Sequence, residues 1–153
     1  MNEEKCEIVP AGPDMEGEVI DLWARLMDTY GKKANPSLLR KSYRYAVAHP
    51  EQVKIFAFQR DGKVLGTVSL HLGHFSTWNN SWYGHAEDLF VDPKARRQGV
   101  AVSLMKHIIK VAQEEKLSRL ELNTLMDNRV ARSIYEKLGF QCSSVVYDLP
   151  LLD

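Results

Sequence analysis

The stretch Arg96-Arg97-Gln98-Gly99-Val100-Ala101 decides how the middle of this chain folds. It follows the extended apolar run Leu89-Phe90-Val91 and the strand-breaking pair Asp92-Pro93, and it leads into an amphipathic pattern that ends near Glu115. The sequence therefore predicts a strand, a basic loop with one glycine, and a helix. Free N–H groups and the positive end of the helix dipole make such a junction an anion site, to which the two arginines add charge. A phosphate-bearing ligand is the physical expectation.

Taken alone, the loop is equally compatible with a solvated basic turn, because one glycine is a weak signal. The dinucleotide fingerprint G-x-G-x-x-G is absent from the chain, and so is the phosphate loop G-x-x-x-x-G-K-[ST]. Neither a nicotinamide-dependent enzyme nor a P-loop nucleotidase is therefore favoured.

Length and charge narrow the class of protein. We expect residues 1–153 to form a single domain. Lys plus Arg equals Asp plus Glu at 20 each, which disfavours sequence-independent binding to nucleic acid. The chain lacks an apolar run of membrane-spanning length, and its polar start does not resemble a signal peptide. Cys6 and Cys142 show no metal-ligand or disulfide spacing, so reduced thiols and a cytoplasmic location are expected.

Apolar periodicity predicts the order β-α-α-β-β-β-α-β-α-β-β, in an α/β (α+β layered) domain. This is a mixed, mostly antiparallel central sheet of about seven strands, flanked by four helices. Hairpins are expected to join the middle strands, with Asp61-Gly62 as the strongest turn signal, and 73–80 is expected to be a loop. Two closing strands are predicted at 140–142 and 144–149.

Two segments together identify a family resemblance. The first is Arg96-x-x-Gly99-x-Ala101, preceded by Glu87-Asp88-Leu89-Phe90-Val91-Asp92-Pro93 and followed by a helix. The second is Asn128-Arg129-Val130-Ala131-Arg132-Ser133-Ile134-Tyr135-Glu136-Lys137-Leu138-Gly139-Phe140. They resemble the acetyl-CoA signature and the downstream segment of the GNAT family of N-acetyltransferases. The resemblance implies an enzyme that uses acetyl-CoA as co-substrate and no metal.

The resemblance also implies which residues bind the coenzyme. The backbone of the strand before the loop would bind the pantetheine arm, and N–H groups at the start of the helix would bind the pyrophosphate. Glycine in the loop would allow close approach of the phosphate. The residues implied are Leu89, Phe90, Val91, Arg96, Arg97, Gln98, Gly99, Val100, Ala101, Asn128, Ala131 and Tyr135.

Asn128 and Tyr135 are seven residues apart and so share a helix face. By the resemblance, Tyr135 would protonate the departing thiolate as general acid, and Asn128 would hydrogen-bond the pantetheine arm. Tyr135 is otherwise an aromatic packing residue, and Asn128 is also a good helix N-cap.

A general base is needed because an amine must be neutral before it attacks a thioester. Glu87, acting through water, is the favoured base. Asp88 would face the opposite side of a regular strand unless a bulge intervenes, and His85 remains an alternative. His71 and His74 are expected on opposite faces, which makes a shared metal site improbable.

The acceptor is less constrained by the sequence. The run from Phe75 to Trp82 is locally similar to diamine acetyltransferases, so a polyamine or related amine is favoured over an aminoglycoside, an amino acid or a protein N-terminus. The basic side chains around the second helix are either a solvated face or a site for an acidic acceptor. They are Lys32, Lys33, Arg40, Lys41 and Arg44. A homodimer is expected, a non-catalytic acyl-CoA-binding module is the rival function, and Cys142 is expected to be inert.

Overall fold

The computed structural model describes residues 3–152 and contains five strands and four helices in that range. The strands are β1 (Cys6–Pro10), β2 (Val53–Arg60), β3 (Lys63–Ser76), β4 (Ser81–Val91) and β5 (Leu120–Leu122). The helices are α1 (Glu16–Thr29), α2 (Pro36–Ala48), α3 (Val100–Glu114) and α4 (Arg129–Lys137). Short 3-10 turns at Pro13–Met15 and Pro93–Ala95 precede α1 and α3.

The mixed α/β class and the four helices agree with the sequence, but the seven strands and the full predicted order do not. The predicted closing strands at 140–142 and 144–149 have no regular structure, and the chain from 141 to 152 is exposed. Val145 and Tyr147 are 74% and 93% exposed. Their alternating apolar pattern indicated strands, but a strand also needs a neighbouring backbone, and the described part of the chain provides none to them.

The predicted loop at 73–80 is shorter than expected, because only 77–80 form a turn and 73–76 belong to β3. β3 continues to Ser76, where it pairs with Ser81 of β4, and Phe75 pairs with Trp82. The rings of Phe75 and Trp82 are 5.1 Å apart, which adds a favourable cross-strand contact to a polar, exposed hairpin. The aromatic pair therefore extends the two strands beyond the buried sheet.

The sheet has the order β1-β2-β3-β4-β5, with antiparallel pairing from β1 through β4. Side chains alternate between its faces. Ile55 and Ala57 pack in the cluster that also contains buried residues of α1 and α2, whereas a side chain at Gly66 would meet Leu104 and Val100 of α3. The face that carries Ile55 therefore lies towards α1 and α2, and the opposite face lies towards α3.

Polar anchors position α1 and α2 over their face of the sheet. The Tyr43 hydroxyl of α2 donates to Gly12 O at 2.5 Å, and burial raises the pKa of that hydroxyl to about 12. Glu18 of α1 accepts a hydrogen bond from the Val64 N–H at 2.9 Å. Asn35 caps α2 by accepting from Ser37 N–H at 3.0 Å, as its position before Pro36 predicts. These bonds help fix where the two helices meet the sheet.

The described chain divides into two compact units, one that extends to Glu121 and one that begins at Leu122. The second unit is built on α4. Gly139 ends this helix with a φ of 96°, and the Phe140 N–H returns to Tyr135 O at 3.0 Å. The Phe140 ring lies 6.0 Å from the Tyr135 ring, so the apolar contact typical of this helix ending is present.

None of the helices in the described residues is long and apolar enough to cross a membrane.

Candidate active site

A β-bulge in β4 brings two consecutive carboxylates together. Thr67 pairs with Phe90 and Ser69 pairs with Glu87, so Asp88 and Leu89 together oppose a single residue of β3. Asp88 has a φ of 56°, in the left-handed region that non-glycine residues rarely adopt. In a regular strand the side chains of Glu87 and Asp88 would point to opposite faces of the sheet. The bulge interrupts this alternation, so Asp88 does not point to the other face.

Glu87, Asp88 and His71 therefore converge on one side of the sheet, with their ligand atoms within 4.8 Å of one another. His71 Nε2 lies 3.5 Å from Glu87 Oε2, and His85 Nδ1 lies 3.2 Å from Glu87 Oε1. The His85 contact is close enough for an ion pair but lacks hydrogen-bond alignment. The three candidate bases, Glu87, Asp88 and His85, therefore lie in one cluster. Within it, Glu87 lies between His71 and His85.

A cavity of about 610 Å³ lies beside this cluster, between α1, α2 and the sheet. This volume suits a small organic ligand. Most of its walls are apolar, and Asp88, His71 and Ser69 form the polar part that the sheet contributes. The lining residues are Trp23, Leu26, Met27, Leu39, Lys41, Ser42, Tyr45, Ala46, Val53, Ser69, His71 and Asp88.

Asp88 is in an unusual environment for a carboxylate. Water reaches its side chain, yet it lies deep enough among protein atoms that loss of hydration raises the pKa of Asp88. The negative charge of Glu87 raises the pKa further, and His71 opposes the rise. Two carboxylates in such proximity resist being charged together, so the cluster favours binding a positive group.

The start of α3 presents backbone donors without a cap. Gly99 is its N-cap residue with a φ of 78°, and no side chain accepts from the first N–H groups of the helix. A Cβ at Gly99 would meet no protein atom within 4 Å, so the space in front of the loop is open. The N–H groups of Val100 and Ala101 have no partner inside the helix because of its geometry. This arrangement fits the pyrophosphate of a coenzyme.

The loop side chains are placed differently from one another. Arg96 Nε donates to Val91 O at 3.0 Å, and its guanidinium lies 5.3 Å from the centre of the Phe90 ring. Gln98 accepts from Arg60 at 2.7 Å, which connects the loop to the end of β2. Arg97 is exposed with a φ of 60°. Arg96 and Gln98 thus hold the loop in shape, while Arg97 is directed into solvent.

The backbone of β4 beyond the bulge has groups available on its outer side. Asp92 N–H donates to Leu65 O at 2.8 Å, so the adjacent Val91 N–H points away from β3. The Phe90 side chain is buried in the cluster that includes residues of α1. The strand predicted to bind pantetheine is therefore present, and the Val91 N–H lies on its outer side; pantetheine binding itself stays a prediction.

In the second unit, the predicted residues lie on or just before α4. Asn128 caps the helix by accepting from Ala131 N–H at 3.1 Å, which confirms its predicted capping role. Tyr135 and Ala131 are half-buried on α4. The roles of these residues towards a coenzyme stay predictions, as does the cytoplasmic, single-domain and homodimeric description of the chain.

Most of the cavity was not predicted from the sequence. Trp23, Leu26 and Met27 have the spacing of an ordinary apolar helix face, and Ser69 lies inside a strand, so neither the three residues nor Ser69 indicated a site. The sequence indicated this site only through the basic residues around α2. One of them, Lys41, lines the cavity. As possible metal ligands, the sequence singled out only the pair His71 and His74.

His71, Glu87 and Asp88 offer one nitrogen and two carboxylate ligands at a spacing that can hold a metal ion. These three groups are the same ones that form the cluster favouring a positive group. The expectation that the enzyme needs no metal stays a prediction.

A family model described as "Acetyltransferase (GNAT) family" matches residues 19–140. The match extends from α1 through the loop at Gly99 to Phe140, so it includes both segments that carried the resemblance.

Two curated relatives have named activities. A thialysine N-epsilon-acetyltransferase of Caenorhabditis elegans is 27% identical over 134 residues, which cover 88% of this chain and 82% of the relative. A glucosamine 6-phosphate N-acetyltransferase of Trypanosoma brucei brucei is 28% identical over 88 residues, which cover 58% of each chain.

Solved structures show the same fold. A structure described as a probable acetyltransferase superposes with a TM-score of 0.86 at 28% identity, covering 96% of this chain and 99% of the other. A predicted acetyltransferase of Clostridium acetobutylicum, solved with acetyl-CoA, has a TM-score of 0.81 at 17% identity and covers 96% of this chain and 97% of the other.

Proposed function

Because the chain belongs to the acetyltransferase (GNAT) family, we propose that it transfers the acetyl group of acetyl-CoA directly to the primary amine of a small molecule. The observation that carries this proposal is the bulge in β4. It gathers Glu87, Asp88 and His71 within 4.8 Å beside a mostly apolar cavity of about 610 Å³. An amine that enters the cavity thus meets Asp88 and His71 at its wall, with Glu87 next to them.

Glu87 is proposed as the base that prepares the amine. An alkyl ammonium has a pKa near 10 and must lose a proton before its nitrogen attacks. The side chain of Glu87 is 45% exposed, so a water molecule can relay this proton. His71 and His85 lie on either side of its carboxylate at 3.5 and 3.2 Å and can share the proton that Glu87 receives.

The loop and β4 are proposed to hold acetyl-CoA, which supplies the acetyl group as a thioester. The uncapped N–H groups of Val100 and Ala101 would bind the pyrophosphate, and Gly99 leaves open space in front of them. The outward N–H of Val91, or the equivalent group of Leu89, would contact the acyl portion and stabilise negative charge on its oxygen. Arg97 is the loop cation best placed for phosphate.

Tyr135 is proposed as the acid that protonates the leaving thiolate. This role comes from the resemblance of the α4 segment to the family's downstream segment. The ammonium form of the acceptor loses two protons in all. Glu87, through water, passes the first to solvent before attack and takes the second from nitrogen as that nitrogen bonds to the acetyl carbon. The carbon–sulfur bond then breaks, Tyr135 gives its proton to sulfur and regains one from Glu87 through solvent, so the net products are the amide, free CoA thiol and one proton.

The acceptor class follows from the relatives only in part. They are named for thialysine and for glucosamine 6-phosphate rather than for a polyamine. Both of those substrates combine a primary amine with an acidic group. We therefore propose amines of this kind ahead of the polyamines that the local resemblance of 75–82 favours, and we retain spermidine as the comparison substrate.

A panel assay tests the function. The purified chain is mixed with acetyl-CoA and one of several amines: an amino acid, an amino sugar phosphate, spermidine, an aminoglycoside or a peptide. Free CoA is measured together with the mass of the product. We expect CoA release to depend on the amine, with a gain of one acetyl group on nitrogen.

A binding measurement separates an enzyme from a module that only binds acyl-CoA. Both bind acetyl-CoA in calorimetry, but only the enzyme releases CoA when an amine is added. Binding without release across the whole panel would overturn the proposed function.

A further inference from the structure

The cavity beside Asp88 has polar groups on two separate walls and apolar side chains between them. The sheet wall carries Asp88 and His71, whereas the α2 wall carries Lys41. Trp23 and Leu26 of α1 line the apolar part. A ligand that fills this space therefore has an apolar body and two polar ends.

The positive charges of α2 are divided between two tasks. Arg44 Nε lies 2.8 Å from Glu16 Oε2 and Arg40 Nε lies 3.7 Å from Glu16 Oε1, so both arginines are paired with α1. Lys41, next to Arg40 in the chain, makes no ion pair or side-chain hydrogen bond with any residue in 3–152. It lines the cavity instead and is exposed, so its side chain lies at the solvent-facing part of the space that a ligand would enter.

Lys41 is also not the partner of Asp88. A nearby ammonium group would lower the pKa of a carboxyl, yet the groups that act on Asp88 are Glu87 and His71, and its pKa is raised. The lysine and the carboxylate thus line one cavity without neutralising each other. Each can then bind an opposite charge on the ligand.

We propose, on the basis of the proposed function, that Lys41 binds an anionic group of the acceptor, and that the natural acceptor is a small amine that also carries a carboxylate or a phosphate. The acceptor's amine would lie at Glu87 and Asp88, its apolar body would pack on Trp23 and Leu26, and its acidic group would reach Lys41. This assigns a specificity role to a residue outside the reacting groups.

The same charge acts against a polyamine. A second ammonium group in the position of the acidic group would face Lys41 and be repelled. Lys41 thus both selects acidic amines and rejects diamines of similar length.

Matched acceptors measure this selection directly. 6-Aminohexanoate and pentylamine differ by one carboxylate, and glucosamine 6-phosphate and glucosamine differ by one phosphate. One of the two pairs will be acetylated faster than the other. Within that pair, we expect kcat/KM for the acidic acceptor to exceed that for its partner by about tenfold or more, since a hydrogen bond to a charged group contributes about 1.5–3 kcal/mol. The two pairs also show which acid, carboxylate or phosphate, the cavity prefers.

Variants of Lys41 then assign the selection to one side chain. In Lys41→Gln the ratio between the two members should fall towards one, mainly through KM for the acidic acceptor. In Lys41→Glu we expect 1,5-diaminopentane to become a better acceptor than 6-aminohexanoate. Arg40→Gln is the matched control, because it removes the same charge from the adjacent position outside the cavity, and it should keep the ratio of the wild type.

The outcomes distinguish this inference from the proposed function. If no amine in the panel is acetylated, the proposed function itself fails. If amines are acetylated but the ratio is unchanged in Lys41→Gln, or if only spermidine or amines without an acidic group are used, the inference about Lys41 is wrong and the proposed function stands. We expect the variants at Lys41 and Arg40 to unfold at the temperature of the wild type. That result would exclude misfolding as the cause of a changed acceptor ratio.

Discussion

The bulge at Asp88 and the loop at Gly99 hold the backbone in the same left-handed region, with φ values of 56° and 78°. They use it for opposite purposes. At Gly99 the conformation exposes backbone N–H groups, and the missing side chain keeps the space in front of them open. At Asp88 the conformation aims a side chain at a cavity, so glycine would remove the group that the site needs. Left-handed backbone therefore occurs at both proposed binding sites, but only at Gly99 does the residue type indicate that conformation from the sequence.

The largest expected effect is at the bulge. Replacing Glu87 by Gln should lower kcat/KM by about 10²–10⁴-fold, because a general base contributes about that much. Steady-state kinetics on the best acceptor measure it, and binding of acetyl-CoA should be unchanged. Glu51→Gln is the matched control, since Glu51 also lies 3.1 Å from a histidine but sits in the turn before β2. Equal activity of Glu87→Gln and Glu51→Gln would rule out Glu87 as the base.

The next effect is at the loop. Gly99→Val should reduce the free energy of unfolding by about 1–3 kcal/mol, because a β-branched residue is strained at this φ. Gly99→Asn should cost less than Gly99→Val, since asparagine tolerates the left-handed region. We expect both variants to raise KM for acetyl-CoA through the added side chain. An Asn variant with the KM of the wild type would show that the coenzyme does not use the space in front of Gly99.

Arg96 and Arg97 separate stability from binding within the loop. Arg96→Ala should lower the free energy of unfolding by about 1–2 kcal/mol, because the hydrogen bond to Val91 O and the contact with Phe90 are lost. Arg97→Ala should leave unfolding unchanged and raise KM for acetyl-CoA. Denaturant unfolding and kinetics on the two variants test this division, and the reverse pattern would contradict it.

The smallest effect is the pH dependence at Asp88. The folded protein raises the pKa of this carboxyl, so folding binds protons, and this contribution to stability falls as pH rises from the ordinary aspartate value through the raised one. Asp88→Asn removes the titration. Its stability relative to the wild type should therefore increase with pH across that window and then level off. A stability difference that is constant from pH 3 to pH 8 would contradict the assignment.

Local signals in the sequence predicted most of the elements that form this site. The strand before Asp92-Pro93, the loop glycine and the helix after it were correctly inferred, because each rests on patterns of neighbouring residues. Asn128 was likewise predicted as a helix N-cap, and it caps α4. Such features depend on a few adjacent residues and need no knowledge of the rest of the fold.

Features that depend on distant partners were missed. The bulge at Asp88 arises from the register between β3 and β4, which the sequence of β4 alone does not specify. The cavity needs α1 and α2 to be placed over the sheet, so its lining was read only as a helix face. The apolar pattern at 144–149 predicted a strand, but the described chain offers it no partner.

The hydrogen bond from Arg96 to Val91 O and the hydrogen bond from Arg60 to Gln98 have a further consequence for the proposed binding of acetyl-CoA at this loop. Both join the loop to strands of the sheet, so the loop gives up its conformational freedom when the chain folds. A coenzyme that arrives later does not have to order it. Its affinity then reflects contacts and displaced water with little entropic penalty from the protein, which is the thermodynamic advantage of a receptor that is shaped before its ligand is present.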